Sequence, residues 1–99
     1  MESRNRFELS GTLIAIDAVR YTPAGIPLVE LKISHESSQI EAGRTRSVIC
    51  ELAAVAAGEG ARKLAVSPLG ARIQARGFLA HPGKSKVRLI LHINEFEFI

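Results

Sequence analysis

The sequence predicts an all-β domain, a small barrel of five strands with one short helix between the third and fourth. Three observations lead there. Five segments alternate apolar and polar residues with a period of two, the mark of half-buried strands. An alanine-rich segment between the third and fourth of them loses that alternation and suits a helix. Clusters of Pro, Gly and polar residues separate the segments.

The first strand covers residues 6–13, with Phe7, Leu9, Gly11 and Leu13 on one face and Arg6, Glu8, Ser10 and Thr12 on the other. Gly11 inside it predicts a bulge or a sharp bend, beyond which residues 13–16 extend the strand. Residues 21–25, Tyr-Thr-Pro-Ala-Gly, form a turn. After Pro27 the second strand sets Val29, Leu31 and Ile33 against Glu30, Lys32 and Ser34, with His35 at its end. Residues 36–43 are polar and read as a loop. The third strand spans residues 45–52, with Val48, Cys50 and Leu52 on one face.

Residues 53–64 are rich in alanine but carry Gly58 and Gly60, so the helix is short and late in the segment. Pro68 and Gly70 end it. The fourth strand, residues 72–80, sets Ile73, Ala75, Gly77 and Leu79 against Arg72, Gln74, Arg76 and Phe78. Residues 81–86 form a tight polar hairpin loop, and a fifth strand starts at Val87. Phe96 and Phe98 fall out of parity with Val87, Leu89, Leu91 and Ile93, which predicts a bulge near Asn94 or Glu95. Ile90, Phe96 and Phe98 either close the core or form a subunit interface. The order β-β-β-α-β-β fits the five-stranded Greek-key barrel known as the OB-fold. A ferredoxin-like fold fits worse, because it needs two good helices.

Composition narrows the function. Ninety-nine residues make one domain, and 46% hydrophobic residues supply a core, which excludes disorder. A lone Cys50 excludes a disulfide framework and any site of several thiolates, and points to a reducing compartment. The N-terminus has no apolar core of a signal peptide, and no apolar run approaches the roughly 20 residues that span a bilayer. The expected location is the cytoplasm, at the nucleoid. Thirteen Lys and Arg against ten Asp and Glu give a net charge of +3, which permits an anionic partner.

The chemistry-bearing residues favour binding over catalysis. His35, His81 and His92 have no metal-ligand spacing, Cys50 has no CxxC partner, and no nucleophile elbow, Walker loop or dinucleotide fingerprint occurs. No cofactor is implied. The basic residues carry more. Lys84, Lys86 and Arg88 alternate in and after the last hairpin loop, a place where OB-folds contact nucleic acid. Arg76 and Phe78 share a strand face, where either charge meets phosphate and a ring stacks on a base, or Arg76 is solvated and Phe78 packs under a loop or in a dimer contact. Arg44 and Arg46, with Arg20, extend a positive groove or are scattered surface charges. Tyr21 stacks on a base or caps the barrel. With four Phe, one Tyr and no Trp, phosphate contacts are expected to dominate over base preference.

Several stretches resemble the primosomal replication protein N, or PriB, family. Residues 5–12, Asn-Arg-Phe-Glu-Leu-Ser-Gly-Thr, are similar to its opening. Residues 22–27, Thr-Pro-Ala-Gly-Ile-Pro, are similar to its turn. Glu41-Ala42-Gly43, Gly77-Phe78-Leu79 and Leu91-His92-Ile93 follow in the family's order. The resemblance implies an OB-fold homodimer without catalytic activity, related to single-stranded DNA-binding protein. It implies an accessory role in the replication restart primosome, stabilising the PriA helicase on DNA and assisting reloading of the replicative helicase. The implied partners are single-stranded DNA, PriA and, where it exists, the loader DnaT. The family's basic loop maps onto Lys84, Lys86 and Arg88. The strand-three tryptophan of better-known members is Ile49 here, and the aromatic in the loop before it is Arg44, so stacking there is lost and backbone charge remains. A primosome adaptor that works through protein contacts is the alternative reading. An RNA-binding cold-shock-like barrel fits less well, because its aromatic-rich strands are missing.

Overall fold

The computed structural model describes residues 3–83 and 87–99. Its elements are β1 (Phe7–Ile16), β2 (Arg20–Tyr21), β3 (Pro27–Glu41), β4 (Arg44–Ala57), α1 (Glu59–Ala65), β5 (Arg72–Ala80) and β6 (Ile90–Phe98). The sheet runs β1-β5-β6-β4-β3, and β3 pairs with β1 again, which closes five strands into a barrel. The two residues of β2 attach to the start of β3. All pairs are antiparallel except β4 with β6, which run parallel from Ala54–Leu91 to Ala56–Ile93. The predicted OB-fold barrel with one helix between its third and fourth barrel strands is the fold observed. No helix among the described residues is long and apolar enough to cross a membrane.

The alternation read from the sequence builds the interior except on β4 and at the start of the last strand, where Cys50, Val87 and Leu89 are exposed because they lie beyond the barrel wall, and Ala54 and Ala56 take the inward places. Leu13, Val29, Leu31, Ile33, Ala54, Ala56, Ile73, Ala75, Leu91 and Ile93 point inward and are buried. Alanines on β4 and β5 keep the interior narrow enough for larger residues on β1, β3 and β6. The helix is too short to stand alone and is held by packing. Ala61 and Leu64 are fully buried against the barrel end, while Glu59 in its first turn and Arg62 and Lys63 in its last suit the helix dipole.

Four boundaries differ from the sequence reading. Residues 36–41 are strand, not loop. They pair with β4 up to Glu41–Arg44, around a two-residue turn in which Ala42 and Gly43 both have positive φ (52° and 76°). The arm extends past the barrel, so neither face needs apolar residues, and its polarity mimics a loop. His35 anchors the arm where it leaves the barrel. Its Nδ1–H donates to the Ser10 carbonyl oxygen at 2.7 Å. Residues 53–57 continue β4, because the small alanines face the core or the groove floor. The last strand starts at Ile90 rather than Val87. The first bulge falls at Ile14 rather than Gly11, between the pairs Leu13–Ile33 and Ala15–Lys32.

The second bulge is where the parity break predicted it. Arg76 pairs with Glu95 and Gly77 with Ile93, leaving Asn94 as the extra residue. The bulge presses the His92 carbonyl against Gly77, where a Cβ would lie far inside van der Waals contact with that oxygen. Downstream of it Phe96 packs against the core, while Phe98 is exposed.

Two stability predictions follow from this geometry. Gly77→Ala must open the β5–β6 ladder and is expected to cost several kcal/mol, on the order of the largest single-residue losses. Ala42→Asn relieves a left-handed alanine and is expected to stabilise the hairpin by about 0.5–1 kcal/mol. Urea titrations of both variants check these signs. A neutral Gly77→Ala would show that the contact relaxes without opening the ladder.

Candidate nucleic-acid interface

Side-chain parity sorts β3 and β4 into two faces. Val29, Leu31, Ile33, Ala54 and Ala56 face the core, so Leu28, Glu30, Lys32, Ala53, Val55 and Ala57 face outward. Outside these strands lie two segments, the connection around β2 and the connection between β5 and β6. Between them runs a groove. Its wider part, about 400 Å³, lies among Arg20, Leu28, Val55, Phe78, Gly83 and His92. Its narrower part, about 270 Å³, lies among Ala15, Asp17, Lys32, Ala53 and Arg88. Glu30 and Ile90 line both, so the two parts adjoin. This is the face with which OB-folds bind oligonucleotides and oligosaccharides.

The groove carries charge of both signs. Lys32 and Arg88 are exposed in its narrow part beside Asp17 and Glu30. Arg20 lies 3.6 Å from Glu30, with both side chains open to water. Such a pair adds little stability and leaves its cation able to exchange a carboxylate for a phosphate. The His81 ring donates from Nδ1 to the Arg88 carbonyl oxygen at 2.7 Å, which ties together the two ends of the last loop.

The predicted site residues do not all meet here. Lys84 and Lys86 lie outside the described residues. Arg88 and Phe78 line the groove, and Phe78 stacks in parallel on His92, with ring centroids 4.8 Å apart and planes 7° apart. Tyr21 is 59% exposed on β2 and does not line the groove. Arg44 and Arg46 sit at the far end of the β3–β4 arm. Arg44 is nine positions from Ala53, roughly 30 Å at 3.3 Å per strand residue. Arg46 is further engaged by both carboxylate oxygens of Glu41 at 3.2 Å.

Arg76 is elsewhere, on the outside of β5. Its guanidinium donates to Glu8 at 2.6 Å and Glu97 at 3.0 Å, and lies 3.8 Å from Glu95. Glu8 faces it directly across the β1–β5 ladder, and Glu95 across the β5–β6 ladder. The hydrogen bond to Glu8, then that to Glu97, raises its pKa above the ordinary arginine value. The cation is therefore held by three carboxylates that bind three different backbone positions together.

Lys32 was not singled out from the sequence. A signal for it existed: it is an outward position on the second barrel strand, the strand on which OB-folds place their ligands. Among the described residues, no three His, Cys, Asp or Glu side chains lie where they could hold a metal ion.

Residues 5–95 match the model of a family described as "Another single-strand binding protein family". The chain is 44% identical over 91 residues to the replication restart protein PriB of Bordetella pertussis, covering 92% of this chain and 85% of that protein. The solved structure of PriB from Ralstonia solanacearum superimposes with a TM-score of 0.88 at 33% identity, over 97% of this chain and 98% of that one. The single-stranded DNA binding protein from Thermus aquaticus shares the fold. It superimposes with a TM-score of 0.77 at 23% identity, over 97% of this chain and 50% of that one.

Arg76→Gln leaves three carboxylates facing one another. It is expected to lower Tm, and the loss is expected to shrink as NaCl is raised, because salt screens both the lost attraction and the new repulsion. Thermal melts at low and high salt check this. A loss independent of salt would assign Arg76 a packing role instead.

Proposed function

Because the chain belongs to the PriB family of replication restart proteins, we propose that it binds single-stranded DNA in the groove between its β2 and β5–β6 connections. The observation that carries this reading is the placement of Lys32, Arg20 and Arg88 along one groove on the OB-fold's binding face. Lys and Arg that track a strand's phosphates release counterions, which supplies affinity without sequence preference. Lys84 and Lys86 belong to the same set, since they fall in the loop that ends at Arg88. Arg76 leaves the set, being occupied by Glu8, Glu95 and Glu97. Arg44 and Arg46 serve a strand only if it runs out along the arm.

The role is binding rather than catalysis: holding the PriA helicase on DNA and helping to reload the replicative helicase, with DnaT as a further partner where it exists. The place of action is the cytoplasm, at the nucleoid. The working unit is a homodimer. Among the described residues, Phe7–Leu9 of β1 have a strand partner on the β5 side alone, while His35 takes the Ser10 carbonyl beyond them, so the edge at Phe7–Leu9 offers a pairing surface to a second copy.

A second reading has its own support. Asp17 and Glu30 stand among the groove's cations, and Ile40 and Ile49 are each 72% exposed on the arm. Both suit an adaptor that works through protein contacts, with DNA binding weak.

Fluorescence anisotropy of a labelled oligo-dT at several salt concentrations separates the two. The DNA reading expects binding whose log–log salt slope is about −2 or steeper, at about −0.7 per phosphate neutralised. Lys32→Ala and Arg88→Ala are each expected to flatten that slope by about 0.7. Arg76→Gln is expected to leave it unchanged. No binding at low salt, with a PriA complex that survives nuclease, would establish the adaptor reading instead.

A further inference from the structure

We propose that the second half of β6, residues 94–98, is a docking edge for an extended segment of a partner protein, one that alternates basic and apolar residues and adds to the sheet as a strand. The partner here is cationic, where a DNA strand is anionic.

β6 has a strand on both sides only as far as Ile93. β4 pairs with it from Ala54–Leu91 to Ala56–Ile93 and then leaves, because Gly58, at a φ of 78°, turns the chain into α1. Beyond that point β5 is its one strand partner among the described residues, along to Ile73–Phe98. The Ile99 N–H donates to the Arg72 carbonyl oxygen at 3.0 Å. Backbone groups alternate in direction along an antiparallel strand. Those of Glu95 and Glu97 therefore point at β5, as Ile99 does, and those of Phe96 and Phe98 point away from it. Each of these two residues presents an N–H and a C=O at the open edge, the arrangement that accepts a further strand.

A gap separates that edge from the helix. A space of about 370 Å³ is lined by Gly60 and Lys63 of α1 and by every residue from Asn94 to Phe98. Either face of a strand shows only every second residue, so a space lined by successive residues runs along the edge. The edge spans roughly 17 Å at about 3.4 Å per residue, long enough to pair with a short strand.

The side chains along the edge choose the occupant. Glu95 and Glu97 project on one face, where they share Arg76 with Glu8 and keep 68% and 55% of their side-chain surface in water. Phe96 and Phe98 project on the other, edge to face, with ring centroids 5.7 Å apart. A Lys or Arg across from each glutamate, and an apolar residue across from each phenylalanine, makes favourable pairs on both faces. A second copy of this chain fits worse. Antiparallel pairing of two such edges about Phe96 sets each Glu95 opposite the other's Glu97, and like charges directly opposite are destabilising.

The probe is a fluorescein-labelled peptide of alternating Lys and Val. Anisotropy compares it with a Glu–Val counterpart and with a copy N-methylated at every peptide bond, which keeps the charges and has no backbone N–H to donate. The Lys–Val peptide is expected to bind about tenfold more tightly than either. It is also expected to slow hydrogen exchange at the Phe96 and Phe98 amides. Phe98→Pro removes one N–H from the open edge and spares the bonds that Glu97 and Ile99 direct at β5, a place where a sheet tolerates proline. It is expected to weaken the Lys–Val peptide about tenfold. Should Phe98→Pro unfold, the N-methylated peptide and the exchange measurement on the wild-type protein carry the test. Equal binding of the three peptides, or none by the Lys–Val peptide, overturns the proposal. So do Phe96 and Phe98 amides that stay unprotected, or a folded Phe98→Pro that binds as the wild type does. Self-association in sedimentation that Phe98→Pro abolishes would make a second copy the occupant and overturn it as well.

Discussion

Closing five strands into a ring forces β1 to serve two neighbours. Its first half pairs with β5 and its second half with β3, and the change of partner takes place around Thr12. A flat strand cannot make that turn. The bulge at Ile14 lets the strand shift partner without losing the inward position of Leu13, which is fully buried. The bulge at Asn94 bends β6 while β5 stays its partner on both sides, with Gly77 letting the His92 backbone come close. Asn5 extends the pattern beyond the strand: its side-chain amide pairs with both backbone groups of Leu79, at 2.7 and 3.0 Å.

Closure also decides what the outside can do. Once the inward positions are filled, the outward positions of β3, β4 and β6 form a continuous floor, and the loops at either side make it concave. Small residues matter on both faces. Ala54 and Ala56 admit larger neighbours inside, and Ala53 and Ala57 leave room outside. A run of alanines that resembles a helix in sequence is therefore what lets one strand be both core wall and groove floor.

The distribution of charge follows from strand adjacency. Arg76 and Lys32 are both outward cations on barrel strands, but β1 and β6 bring carboxylates to Arg76, while Lys32 opens onto the groove. The first cation is structural and the second is available to a ligand. With Asp17 and Glu30 nearby, the groove is not uniformly positive.

Although Cys50, Val87 and Leu89, read as inward, are exposed, the sequence by itself determined the class of fold, the inward residues of β1, β3 and β5, the late short helix and the bulge at Asn94. These rest on local periodicity, which a chain displays whatever its neighbours are. It also made the basic segment ending at Arg88 and the ring at Phe78 visible. It did not reveal that residues 36–41 are strand, because an arm outside the barrel has no buried face to impose alternation. Nor could it separate Arg76 from Lys32. Which cation meets carboxylates and which faces the groove depends on strand pairing between residues as distant as Glu8 and Arg76. Only the tertiary structure decides that pairing, because it follows from closing the sheet rather than from any stretch of sequence.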